Sequence, residues 1–258
     1  MIFQEMTRPE LERTDREAVV VLPLGSTEQH GLHLPVDTDA RIVEAVCREL
    51  ERRLPETVLL APTFWLGHSP HHLDLGGTIS LHYDLYSRVL AEVIACFAGM
   101  GYRRILLVNG HGGNGMPIAI AQQETKLRTP KLMLCSCNYW DLARDALLAL
   151  REGGTYAMGH ACELETSLYL YLNKDAVRTE QIRDAGCPDG SGYFGYGMFN
   201  SGPVSYLANF SEFTDTGAFG KPTLASAEKG ERMFEAVADG LEQFTKSFRQ
   251  RETMCKKE

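Results

Sequence analysis

No apolar run in the chain approaches the roughly 20 residues that a membrane-spanning helix needs. Met1 to Glu17 carries acids and arginines where an export signal has its apolar stretch, so no membrane or secretory role is expected and the protein is placed in the cytoplasm. Long blocks of like charge are missing too. The net charge of −8 is spread over 34 acidic and 26 basic residues, which serves solubility and leaves no basic footprint for nucleic acid. No CxxC pair occurs among the seven cysteines, Cys47, Cys96, Cys135, Cys137, Cys162, Cys187 and Cys255. That odd count argues against a disulfide framework or a zinc knuckle and makes most of them small, reduced packing residues. Neither internal repeats nor low-complexity tracts are found. With 44% hydrophobic residues, the 258 positions are expected to form one domain around one large core.

What is there alternates between two periods. Ala18 to Leu24 is a continuous apolar run ended by Gly25, the pattern of a strand buried on both faces. Thr38 caps a helix through about Leu54, with Ile42, Val43, Val46 and Leu50 at helical spacing. Val58 to Ala61 reads as a second strand. Asp84 to Ala98 reads as a helix with Leu85, Val89, Leu90 and Ile94 inward, and Arg104 to Val108 as a third strand. A helix over Met116 to Leu127, a strand over Lys131 to Cys137, a helix over His160 to Leu172 and a last helix over Thr223 to Phe248 complete the pattern. Such an order implies a mostly parallel sheet with helices on both faces and a ligand site beyond the carboxyl ends of its strands. The long Gly-, Ser- and aromatic-rich stretch Gly186 to Lys221 reads as a functional loop. Its segment Tyr193 to Phe199, including Tyr196, either covers the substrate or packs under its neighbours.

Two glycine-punctuated loops follow such strands, Gly25 to Asp39 and Asn109 to Asn114. Glu28 and His30 are two apart, so their side chains point the same way in extended backbone, and Asp39 returns to the same point after the loop. His111, flanked by glycines that allow close backbone approach to a ligand, offers a fourth donor. Imidazole nitrogen with carboxylate oxygen suits borderline divalent ions such as zinc or manganese. The bland alternative makes Glu28 and Asp39 helix caps and His30 a carbonyl partner. Nucleotide binding is disfavoured, because the Gly-Lys-Ser/Thr ending of a P-loop is missing and GHGGN does not fit GxGxxG. His160, Glu163 and Glu165 open a helix, where acids are also favoured by the macrodipole. A thiol nucleophile at Cys162 lacks a third orienting group. In the His-rich loop Gly67 to His72, Ser69 and His72 are assigned to the rim of a substrate pocket, and His33 and His82 to local hydrogen bonds.

These residues resemble the creatininase (creatinine amidohydrolase) family, whose hallmark GSxEQHGxHLPxxTD matches Gly25 to Asp39 at nearly every fixed position. The similarity continues through Gly67-His68-Ser69, Gly77 to Ser80, Asn109 to Asn114, His160-Ala161, Glu165 to Ser167, and Gly217 with Gly220 and Pro222. The resemblance implies a three-layer α/β/α fold, a cytoplasmic homo-oligomer, often a hexamer, and two divalent ions, zinc or manganese. It further implies hydrolysis of a C–N bond in a small cyclic amide or formamide by a metal-activated water. Glu28, His30, Asp39 and His111 then look like metal ligands, Asp39 like their bridge, and His160 like the catalytic histidine. Ser69, His72, Gly112 and Tyr156 fall on the substrate side. Three departures stand out. Gly113 occupies the place of an acidic ligand, which leaves Glu165, as ligand and catalytic group, or else Glu163, to supply that carboxylate. Tyr156 replaces a gating tryptophan, and Cys162 stands where many relatives have glycine. These departures argue against creatinine itself. Other branches deformylate a pyrimidine nucleotide or trim a peptide. An isomerase or lyase on the same metals and a non-catalytic metal-binding relative are the competing readings.

Overall fold

Val19–Leu24 is six residues long with every side chain buried, and the other elements are layered on both of its faces. The computed structural model describes residues 1–186, 193–195, 197–200 and 202–252. Its helices and strands run α1 (Arg8–Glu12), β1 (Val19–Leu24), α2 (Thr38–Arg53), β2 (Val58–Leu60), α3 (Tyr83–Gly99) and β3 (Arg104–Asn109). They continue with α4 (Gly115–Arg128), β4 (Met133–Asn138), α5 (Arg144–Leu150), β5 (Met158–His160), α6 (Glu163–Asn173), β6 (Phe219–Gly220) and α7 (Ala227–Gln250).

The four longer-paired strands form one parallel sheet in the order β2-β1-β3-β4, with Val20 opposite both Leu59 and Ile105. Alternate residues of β1 serve opposite cores. Val19 and Val21 pack with Val43 and Val46 of α2, Leu168 of α6 and Val237 of α7. Val20, Leu22 and Leu24 pack with Tyr86, Leu90 and Ile94 of α3 and Ile118 of α4. The period-2 geometry of a strand thus makes a three-layer α/β/α arrangement from a run of valines and leucines. Both site-bearing loops leave from the carboxyl ends of β1 and β3. Gly25 is required there, because a Cβ would overlap the backbone of Ala40 in α2. Among the described residues no helix is long and apolar enough to cross a membrane.

Several local expectations are corrected. Leu85 is exposed and Tyr86 takes its place, since α3 starts at Tyr83 and its buried stripe runs through Tyr86, Leu90, Ile94 and Phe97. Asp37, not Thr38, is the N-cap of α2, and the Thr38 hydroxyl donates to Pro35 O at 2.6 Å. His160 is not helical but ends β5, because Ala161 turns the chain at φ 49° before α6 begins at Glu163. His33 bonds at long range, its Nε2 lying 2.8 Å from Thr166 Oγ1, whereas His82 pairs locally with Asp84. The small β5–β6 pair and the short helices α1 and α5 were not foreseen from periodicity. Cys47 and Cys162 are buried, Cys135 and Cys137 half-buried and Cys96 exposed, all as free thiols. Cys187, Cys255 and Tyr196 lie outside the described residues. Of the rest of Tyr193 to Phe199, Met198 and Phe199 pack into the core, Phe194 meets Tyr206 and Tyr193 is exposed.

Candidate metal centre

The loop after β1, the first turn of α2 and the turn after β3 bring three donors to one point. Glu28, Asp39 and His111 are buried and form a group with donor atoms within 4.8 Å of one another. His111 Nδ1 lies 3.1 Å from Glu28 Oε2 and 3.1 Å from Asp39 Oδ2. His30, His160 and Glu165 form a second group of the same kind, in which His30 Nε2 is 3.1 Å from Asp39 Oδ1 and 3.9 Å from Glu165 Oε1. Asp39 therefore offers one oxygen to each group. A third group, Glu28, His72 and His160, adds a residue that the sequence had placed at the pocket rim.

The rings are turned with their bare nitrogens inward. His30 Nδ1 donates to Glu28 O at 3.1 Å, which leaves Nε2 as the lone-pair nitrogen. His111 Nε2 donates to His68 O at 3.1 Å, with Ser69 Oγ at the same distance, which leaves Nδ1 facing Glu28 and Asp39. A backbone carbonyl behind the ring is the usual way a protein fixes the tautomer of a ligating histidine. Asn109 and Asn114 lock the framework. Asn114 donates to Gly25 O at 3.0 Å and accepts from His68 N at 2.9 Å, and Asn109 Nδ2 donates to His111 O at 2.6 Å.

Four buried atoms here, Glu28 Oε1 and Oε2, His30 Nε2 and Asp39 Oδ2, find no hydrogen-bond partner among the described residues. Buried carboxylates in that condition cost several kcal/mol unless a cation compensates them. The donor set therefore fits divalent cations, and helix capping accounts for none of these four atoms. Where no cation stands, the same carboxylates draw a proton onto the rings, and a bound cation would take that proton's place. Burial alone pushes His111 down, but Glu28 and then Asp39 outweigh it and hold the ring at about 10. His30 is likewise held up against burial by Asp39 and Glu165. His160 goes the other way, lowered by burial and by His30 and His72, so it is neutral.

The remaining candidates separate clearly. Glu163 accepts from Glu152 N at 2.9 Å and from Lys229 Nζ at 2.6 Å, so it braces the loop before β5 instead of facing the cluster. Glu165 is the acid that reaches it. At Gly113 a Cβ would overlap His68 O and His111 Nε2, so no side chain fits where an acidic ligand was missed. Ser69 is fully buried behind His111, its hydroxyl 2.6 Å from Ser26 Oγ, and so is no rim residue. His72 is also buried, with Nε2 3.3 Å from Glu28 Oε1. Gly112 faces open space. Tyr156 is 38% exposed and has no ring contact among the described residues. The thiol reading of Cys162 loses ground, since burial and then Glu165 push that thiol up and keep it protonated.

Sequence reasoning missed Phe210. Its ring lies 4.1 Å from that of His72, 4.8 Å from that of His160 and 5.9 Å from that of His71, closing the cluster from above. The one available signal was the Asn209–Glu212 capping pattern, which makes the turn Phe210–Glu212 inside an otherwise irregular loop.

Fold and cluster together define a metal-dependent hydrolase of the α/β class. A family model described as creatinine amidohydrolase matches residues 4–245, and the chain belongs to the creatininase family. It is 31% identical to the 3-dehydro-scyllo-inosose hydrolase of Thermotoga maritima, over 96% of this chain and 84% of that protein. Identity to the mycofactocin precursor peptide peptidase of Mycobacterium tuberculosis is 35%, over 85% of this chain and 81% of the relative. A mutant creatininase of the Zn–Zn type superposes with a TM-score of 0.82 at 26% identity, covering 97% of this chain and 98% of that one.

Proposed function

We propose that the protein hydrolyses the C–N bond of a small cyclic amide or formamide, with Glu28, His30, Asp39, His111 and Glu165 holding two divalent ions, zinc or manganese. The observation that carries this reading is the convergence of unpartnered, buried carboxylate and imidazole atoms on one place. When bound, such ions make water a nucleophile near neutral pH and polarise a carbonyl. Glu28, Asp39 and His111 would hold one ion and His30 and Glu165 the other, with Asp39 within reach of both sets. His160 stands beside both groups with Nδ1 3.7 Å from Glu28 Oε1, and it carries the proton to the leaving nitrogen. Phe210 and its neighbours keep bulk water out, which strengthens every electrostatic interaction inside.

The peptidase among the relatives supports a second reading, cleavage of a short peptide at the same centre. Residues 1–258 act as one hydrolase domain, supported by the reach of the family match to residue 245 and by the packing of α7 against β1's layer. A cytoplasmic homo-oligomer, hexameric by family resemblance, completes the proposal; the free thiols fit a reducing compartment. Zinc- or manganese-loaded protein should be screened against lactams, formamides, cyclic ureas and short peptides. Turnover of a cyclic amide or formamide that disappears in His160→Ala is the expected result. Full activity in that variant, or a purified protein without transition metal, refutes the scheme.

A further inference from the structure

Gln29 sits between the two ligands Glu28 and His30 and is itself buried, yet nothing in the metal scheme uses it. Its amide is tied on every side. Oε1 accepts from Gly31 N at 3.0 Å, and Nε2 donates to Gly217 O at 2.9 Å. Turning the amide over would set oxygen against the Gly217 carbonyl and NH2 against the Gly31 N–H, so the orientation is determined. The second Nε2 hydrogen has two imidazole nitrogens in range, His72 Nδ1 at 2.8 Å and His160 Nε2 at 3.2 Å.

The choice between them follows from a backbone atom. His160 Nε2 is 2.8 Å from Gln29 O, a carbonyl that cannot donate, so His160 carries its proton on Nε2 and has no lone pair there for the amide. The amide hydrogen therefore goes to His72 Nδ1. That nitrogen must be bare, which puts the His72 proton on Nε2, 3.3 Å from Glu28 Oε1.

We propose that Gln29 is a positioning residue that sets the tautomers of both histidines, through its side chain for His72 and its main-chain carbonyl for His160. The consequence is that His160 presents a bare Nδ1 toward the metal ligands while His72 presents an N–H to Glu28. One residue thus makes two adjacent imidazoles of the same tautomer, whose centroids are 4.4 Å apart, turn opposite nitrogens toward Glu28. His160 takes and returns a proton; His72, with its proton on the nitrogen facing Glu28, offers no lone pair there. Gly217 belongs to the device: at φ 77° it approaches so closely that a Cβ would overlap Gln29 Oε1, so only glycine leaves the amide in place.

The inference adopts the hydrolase reading for the meaning of these tautomers, but its test does not need a substrate. Zinc-loaded protein labelled with ¹⁵N-histidine is analysed by long-range ¹H–¹⁵N spectra, with the His72 and His160 signals assigned by their loss in His72→Ala and His160→Ala. In the native protein both rings should show a bare Nδ1 and a protonated Nε2. Gln29→Glu exchanges a donor for an acceptor and should move the His72 proton from Nε2 to Nδ1. Gly217→Ala, which displaces the amide, should give a mixture at His72. A bare Nε2 at His72 in the native protein, or a spectrum unchanged in both variants, overturns the proposal. On a substrate found by screening, Gln29→Glu should lower kcat by about 10- to 100-fold with KM nearly constant, the loss typical of a group behind the reacting ones. Absence of any amidase activity in the native protein would sink the hydrolase reading while leaving the tautomer result to stand or fall by itself.

Discussion

Asp39 Oδ1 lies 3.1 Å from His30 Nε2, and the other oxygen of the same carboxylate is equally close to His111 Nδ1. One side chain at the start of α2 thus joins donors from the β1 and β3 loops. Asp39→Asn is expected to empty both metal positions, because an amide oxygen brings no charge and its NH2 cannot ligate. Metal analysis of the purified variant checks this; a content equal to that of the native protein contradicts the bridge.

Chelation should destabilise the fold. A ligand at 1,000 times its Kd adds about 4 kcal/mol of stability. Its loss also leaves Glu28 Oε1 and Oε2 buried without a partner. For a chain of this size the melting temperature is expected to fall by roughly 10 °C. Calorimetry with and without chelator, followed by zinc re-addition, measures it.

Gly113→Glu should fail to restore a ligand. Its Cβ overlaps His68 O and the His111 ring, so the expected cost is about 1–3 kcal/mol, with loss of metal. Glu165→Gln should lower metal content in an otherwise native fold, and the pair together should be no better than Glu165→Gln. Recovery of metal in the double variant would show that the Gly113 position is not closed.

Phe210→Ala should raise KM about tenfold, the equivalent of 1.4 kcal/mol, while metal content stays native. The ring covers His72 and His160 without supplying a donor atom to either. Steady-state kinetics and metal analysis on the same preparation separate the two effects.

Acid should weaken the last turns of α2, where Glu49 pairs with Arg52 and Arg53 of the same helix. Arg52 and then Arg53 hold the Glu49 carboxyl at about 2. The unfolded chain has it near 4.3. A folded value below the unfolded one means that this stabilisation is fully present above about pH 4.3 and is lost as pH falls toward 2. Glu49→Gln is expected to cost about 0.5–1 kcal/mol at pH 7, as a partly screened pair does, and to flatten the acid limb of denaturation. A limb unchanged by the substitution would be evidence against the role.

The alternation of apolar strands with amphipathic helices was readable because burial on one or both faces imposes period 2 or 3.6 on the residues themselves. Val19 to Leu24 and Ile42 to Leu50 show this directly. Phase was harder: Leu85 and Tyr86 differ by one position, and only packing against Leu22 and Leu24 selects Tyr86. The hallmark Gly25 to Asp39 held the dense group of donors in one stretch of chain, so the chemistry of the cluster was legible there.

What the linear order left open were contacts between distant segments. Glu163 and Glu165 are equivalent as residues in a first helical turn, and their roles part only because Lys229 of α7 and the Glu152 amide capture one of them. Ser69 and His72 look like rim residues until the β1 and β3 loops close over them. Phe210 and Gly217 come from an irregular loop with no periodicity, and nothing in their neighbours' identities says that they end against His72 and Gln29. Local sequence fixes side-chain type and period through short-range sterics and solvation. Which buried polar atom meets which partner is a long-range geometric outcome, decided when the three layers pack.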